Sequence, residues 1–105
     1  MANNELDITK NIKMIEEMQC ELLSLVSQLY CSMRDSNAQT KDRAEILANI
    51  QIMVYLLGKR LGISFQALDQ KTVSKLKLGV LEESGDEWKS ALLALLRHMD
   101  TADKG

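Results

Sequence analysis

The chain has 105 residues, of which 46% are hydrophobic and 27% charged, with a net charge of −2 and a pI near 5.4. That length suits one domain, and the composition excludes wholesale disorder. The charge offers no general attraction to nucleic acid or an anionic membrane, and no apolar run reaches the ~18 residues needed to span a bilayer.

Proline is absent, and the aromatics are one Trp, two Tyr and one Phe. Strand-rich domains need β-branched and aromatic runs broken by turn residues, so helices are expected instead. The first ten residues, M-A-N-N-E-L-D-I-T-K, lack the basic and apolar parts of a secretion signal. A cytoplasmic protein without nucleic-acid or membrane partners is the expectation.

Apolar residues recur at Ile8, Ile12, Ile15, Met18, Leu22, Leu25, Leu29 and Met33. Steps of three and four predict a long amphipathic helix over 6–33, with Asn4 or Asp7 as its cap. Glu16, Glu17 and Glu21 lie on its flank; Glu17 and Glu21 are four apart, one turn above the other. Cys20 and Cys31 fall on this helix, separated by a rise of roughly 16 Å that no disulfide bridges. Both read as reduced core or interface residues, and no Cys/His set suggests zinc.

Arg34 to Lys41 is a polar break, where Ser36 and Gln39 have capping-box spacing and place the second helix at 37–61. Within it, Ala44–Leu57 reads A-E-I-L-A-N-I-Q-I-M-V-Y-L-L, and its only strongly polar side chains are Glu45, Asn49 and Gln51. A helix apolar almost all round predicts burial. Glu45 and Asn49 share one face, and a buried carboxylate beside an amide demands a partner, a metal or water. Gly62 is the expected stop.

A third helix over 65–80 turns Phe65, Leu68, Thr72, Leu76 and Val80 inward and Lys71, Lys75 and Lys77 outward. After the break at Glu82–Asp86, a fourth over 86–99 turns Trp88, Leu92, Leu95 and Met99 inward, and 101–105 is a frayed tail. His98 complements the dipole near a helix end. Four helices with short connections predict an all-α four-helix bundle. Leu23, Val26, Tyr30, Tyr55 and Leu56 fall off the main seams, which predicts a homo-oligomer.

Two helices offering acids or amides at i, i+4 supply the oxygen ligands that suit Mg²⁺ or Mn²⁺. The phrases E-E-M-Q-C-E-L, E-I-L-A-N-I-Q-I-M-V-Y-L-L and G-K-R-L-G-I-S resemble those of the short MazG-like proteins, among the all-α nucleoside triphosphate pyrophosphohydrolases. The resemblance runs from about Ile12 to about Lys77. It implies a homo-dimer or homo-tetramer in which acids hold Mg²⁺ or Mn²⁺ and water attacks a nucleoside triphosphate, giving monophosphate and pyrophosphate. The alternative it leaves is a catalytically weakened or inactive helical oligomer that binds nucleotide or regulates.

The family's motifs are EExxE and ExxD. On this chain Glu17 and Glu21 match the outer acids of the first, while Met18 stands at the middle one with Glu16 adjacent. Asn49 stands at the aspartate of the second and Ile46 at its glutamate, with Glu45 one residue earlier. The implied metal set is Glu17, Glu21, Glu45 and Asn49, with Glu16 or Glu17 as base. Asn ligates through its carbonyl oxygen but adds no charge, so weaker metal binding is expected. Lys59, Arg60, Lys71 and Lys75 are the candidate phosphate partners.

Overall fold

The computed structural model describes the backbone of residues 2–82 and 85–104, and the side chains of 7–82 and 85–100. Four helices follow one another: α1 (Ala2–Arg34), α2 (Thr40–Arg60), α3 (Phe65–Glu82) and α4 (Asp86–Lys104). They form two compact units, 1–64 and 65–105. The Asn4 side chain and part of the break at Glu82–Asp86 lie outside the described residues.

In the first unit α1 and α2 are an antiparallel pair. Leu25, 5% exposed, is the centre of their seam. Half-buried Met14, Ile15, Met18, Leu22 and Leu29 extend it along α1, and Arg43, Ile46, Ile50, Met53 and Leu57 line the facing side of α2. Ile8, Ile12 and Met33, expected on the seam, are exposed. Half-buried Asn11 takes the place expected of Ile12. A helix of 3.6 residues per turn drifts from a 3.5-residue pattern, so the ends of a long seam rotate out of contact.

The connection between them is a short turn. Ala38 N–H donates to the Asp35 carbonyl at 3.2 Å, and Asn37 N–H to Asp35 Oδ1 at 2.9 Å. α2 therefore starts at Thr40, not at 37. Gln39 precedes it, and its N–H donates to Asp42 Oδ2 at 3.4 Å. Residues 35–38 are spent on the turn, which moves the cap from Ser36 to Gln39.

α2 stops as expected. Ile63 N–H reaches the Gly58 carbonyl at 2.8 Å and Gly62 N–H reaches that of Lys59 at 3.1 Å. Gly62 sits at φ +87°, the left-handed region where a Cβ is strained. Nothing lies within 4 Å of a Cβ there, so the strain is purely backbone. Gly62→Ala should cost about 1 kcal/mol in urea unfolding; no loss would show that this closure is dispensable.

The strongest tie across the pair is Arg43, whose Nη2 donates to the Ser32 carbonyl at 2.9 Å. Its charge thereby meets the negative end of α1. Its Nε is buried without a hydrogen-bond partner. Arg43→Ala loses both this bond and the packing of the stem, for an expected cost of about 1–2 kcal/mol by chemical denaturation.

In the second unit α3 and α4 pack around Leu76, 7% exposed. Half-buried Leu68, Thr72 and Val80 join it, while Phe65 is exposed. Gly79 marks the close approach: a Cβ there would meet Leu92 Cδ1 at 3.2 Å. On α4 the inward stripe is Leu92, Leu93, Leu96 and Met99. Trp88 (62% exposed) and Leu95 lie beside it, not in it. The stripe is rotated by about one residue from the expected one, because two adjacent leucines, 92 and 93, straddle the line facing α3. α4 also continues helical to Lys104, through the expected tail, since no Gly or Pro interrupts it before Gly105.

Candidate functional site: an oxygen-rich flank of the first helix pair

The apolar run of α2 predicts burial, yet no residue of α2 is buried. Within its unit the helix has a single neighbour, α1, which covers one side only. Glu45 and Asn49 are consequently exposed, as are Glu17 and Glu21. They face solvent, and burial places no demand for a partner on them.

Their placement follows from helix geometry. At roughly 100° per residue, Glu21 and Glu17 lie about 75° and 115° round α1 from the line facing α2. Asn49 and Glu45 lie about 80° and 120° round α2 from the line facing α1. Because the helices run in opposite directions, both displacements fall on the same side of the pair. All four side chains therefore share one flank.

Register fixes their order. Arg43 ties α2 to Ser32, and Arg60 Nη1 donates to Asn11 Oδ1 at 3.4 Å at the other end. Interpolating between these ties at ~1.5 Å per residue gives the sequence Glu17, Glu21, Asn49, Glu45 along the pair, with steps of about 5–7 Å. The four make a ladder and not a cluster. Its ends, Glu17 and Glu45, are about 19 Å apart, too far for one ion to hold both. Consistently, no three His, Cys, Asp or Glu side chains among the described residues form a metal-binding group. Glu21 and Asn49 are the middle rungs. A carboxylate and an amide carbonyl one turn apart, with Glu17 a turn beyond, are oxygen donors of the kind a hard cation takes.

The positions where the motifs call for further acids point elsewhere. Met18 and Ile46 are half-buried in the seam between α1 and α2. Glu16, exposed, lies about 100° round from Glu17 on the opposite flank, so it cannot replace the middle acid by a small rotation. Arg60 lies on the ladder's side of α2, roughly 9 Å beyond Glu17 along the pair, while Lys59 projects almost straight out from it. Lys71 and Lys75 are exposed on α3, in the second unit. Cys20 and Cys31 are free and exposed, not core residues.

Two flank residues escape a search for acids. Gln28 Nε2 donates to Ser24 Oγ at 3.2 Å. With Glu17 and Glu21 they complete a stripe at 17, 21, 24 and 28, whose four-three-four spacing is the signal that finds them. They bring further oxygen atoms to the level of Asn49 and Glu45.

Among the described residues no single helix is long and apolar enough to cross a membrane. No curated protein and no solved structure gives a significant match to the chain. A family model does: it matches residues 8–92, which takes in most of α1, all of α2 and α3 and the start of α4, and the chain belongs to the MazG-like family.

Proposed function

We propose that this MazG-like protein is a cytoplasmic, divalent-metal-dependent nucleotide pyrophosphohydrolase with a depleted metal site, cleaving nucleoside triphosphates to monophosphate and pyrophosphate. The observation that supports this reading is the shared flank of Glu21 and Asn49 in a chain of that family. Bound there, Mg²⁺ or Mn²⁺ would offset phosphate charge and acidify a coordinated water. Glu21 and Asn49 hold the ion, and Glu17 serves as third ligand or as the base. Arg60, at the Glu17 end, exchanges its long bond to Asn11 for phosphate oxygens. Lys59 is a secondary candidate for phosphate.

A second reading, a nucleotide-binding or regulatory protein without turnover, is favoured by a specific observation: Met18 and Ile46 fill seam positions where the motifs call for acids. One experiment separates the two. Purified protein is incubated with Mn²⁺ or Mg²⁺ and a panel of ribo- and deoxyribonucleoside triphosphates while pyrophosphate is followed. Turnover supports the hydrolase; nucleotide binding in calorimetry with no pyrophosphate supports the second reading; neither sinks both.

A further inference from the structure

Glu45 is left over from the metal. It stands about 13 Å beyond Glu21 along the pair, outside the coordination shell of an ion held there. The helix end does not claim it either: α2 starts at Thr40, so Glu45 lies past the first turn, where the dipole effect has faded. What it does have is a counterpart. The register that orders the ladder puts Gln28 within about 3 Å of the same level. Both side chains are exposed, Gln28 about 95° round α1 and Glu45 about 120° round α2, on the same flank. With helix axes ~9 Å apart, their Cβ atoms stand about 11 Å apart across a notch open to solvent.

The two sides of the notch differ in chemistry. Gln28 Nε2 donates to Ser24 Oγ at 3.2 Å, which steadies the amide and leaves its second N–H for a ligand. Glu45 brings two adjacent acceptors. A donor facing a pair of acceptors across such a gap matches one edge among the common nucleobases. Guanine presents O6 to a donor, and its N1–H and 2-amino group give two adjacent donors to a carboxylate. Adenine and cytosine set a ring nitrogen lone pair against the second carboxylate oxygen, and uracil and thymine set a carbonyl oxygen there. Each of those meetings is repulsive and leaves an acceptor unpaired.

Position agrees with chemistry. The notch lies about 9 Å from the Glu21–Asn49 rungs, on the side away from Arg60. A nucleotide laid along the flank with its phosphates at the ion and at Arg60 carries its base into the notch. We propose that Glu45 and Gln28 read the nucleobase and select guanine nucleotides. The phosphate end of this placement rests on the hydrolase reading, whereas the choice of base is a binding property, measured without turnover.

Calorimetry with Mn²⁺ and each common ribonucleoside triphosphate should give binding of the guanine nucleotide about tenfold tighter than of the others. The inosine analogue, which lacks only the 2-amino group, should fall between. Glu45→Gln replaces one acceptor by a donor at an exposed position, so the helical circular dichroism should not change. Its amide complements the donor and acceptor of adenine, so the preference should turn from guanine to adenine. A glutamate with only a structural role would weaken all four nucleotides alike, or none. Guanine preference that turns in Glu45→Gln, with no pyrophosphate released by the parent, supports the base reading and sinks only the hydrolase. Pyrophosphate release with equal affinity for all four nucleotides, unchanged in Glu45→Gln, overturns the base reading and leaves the hydrolase standing. An inosine analogue bound as tightly as the guanine nucleotide, or no nucleotide bound at all, also overturns it.

Discussion

Glu21→Gln should lower Mn²⁺ affinity and Mn²⁺-dependent pyrophosphate release by about thirtyfold or more, and Asn49→Asp should raise affinity by a similar factor. On an exposed flank a unit charge attracts a doubly charged ion at ~4 Å by about 2 kcal/mol in a water-like dielectric, equivalent to about thirtyfold in binding. Glutamine keeps the shape of Glu21 and removes only its charge. Aspartate at position 49 restores the carboxylate that the family's motif carries there, on the rung next to Glu21. Glu16→Gln is the control: its side chain is on the opposite flank, so affinity should change less than twofold. Calorimetric Mn²⁺ titration of the three variants gives the readout. Equal effects from Glu16→Gln and Glu21→Gln would mean that only overall charge matters, and that the ladder has no special place in metal binding.

Leu25→Ala should be the most destabilising single substitution in the first unit, costing about 2–5 kcal/mol in urea unfolding. Leu25 is the buried centre of the α1–α2 seam, at 5% exposure. Truncation removes its methyl groups from water-free contact and leaves a cavity that two straight helices cannot close without bending. Leu81→Ala provides the contrast: at 82% exposure it should stay within about 0.5 kcal/mol of the parent. A Leu25→Ala loss below about 1 kcal/mol would show that the seam tolerates voids and does not hold the flank in register.

The local features of the fold are the ones legible in the chain. Runs at steps of three and four gave four helices, and Gly62 ended the second because only a residue without a Cβ enters that turn cheaply. Cap choice at the start of α2 was less legible, since Asp35 and Gln39 compete for the same turn and the Asp35 side chain takes the Asn37 N–H. Trp88 and Leu95 lie outside the inward stripe because a pattern that includes both Leu92 and Leu93 fits two neighbouring rotations equally well. The exposure of α2 has a different cause. Apolar composition states what a helix could bury and not how many neighbours its own chain supplies.

The flank divides the same way. That Glu17 pairs with Glu21, and Glu45 with Asn49, follows from spacing inside one helix. That Glu21 and Asn49 become adjacent rungs while Glu17 and Glu45 end up at opposite ends depends on register between helices. Register is set by the turn at 35–38 and by the ties of Arg43 and Arg60, which no spacing within either helix encodes.

The measurement that bears most directly on the flank is paramagnetic broadening of the ¹H–¹⁵N spectrum by substoichiometric Mn²⁺. The Asn49 side-chain amide should fade first, followed by the backbone amides around Glu21 and the side-chain amide of Gln28. Broadening centred on the acids of α4, or spread evenly over every exposed carboxylate, would contradict a divalent site at Glu21 and Asn49.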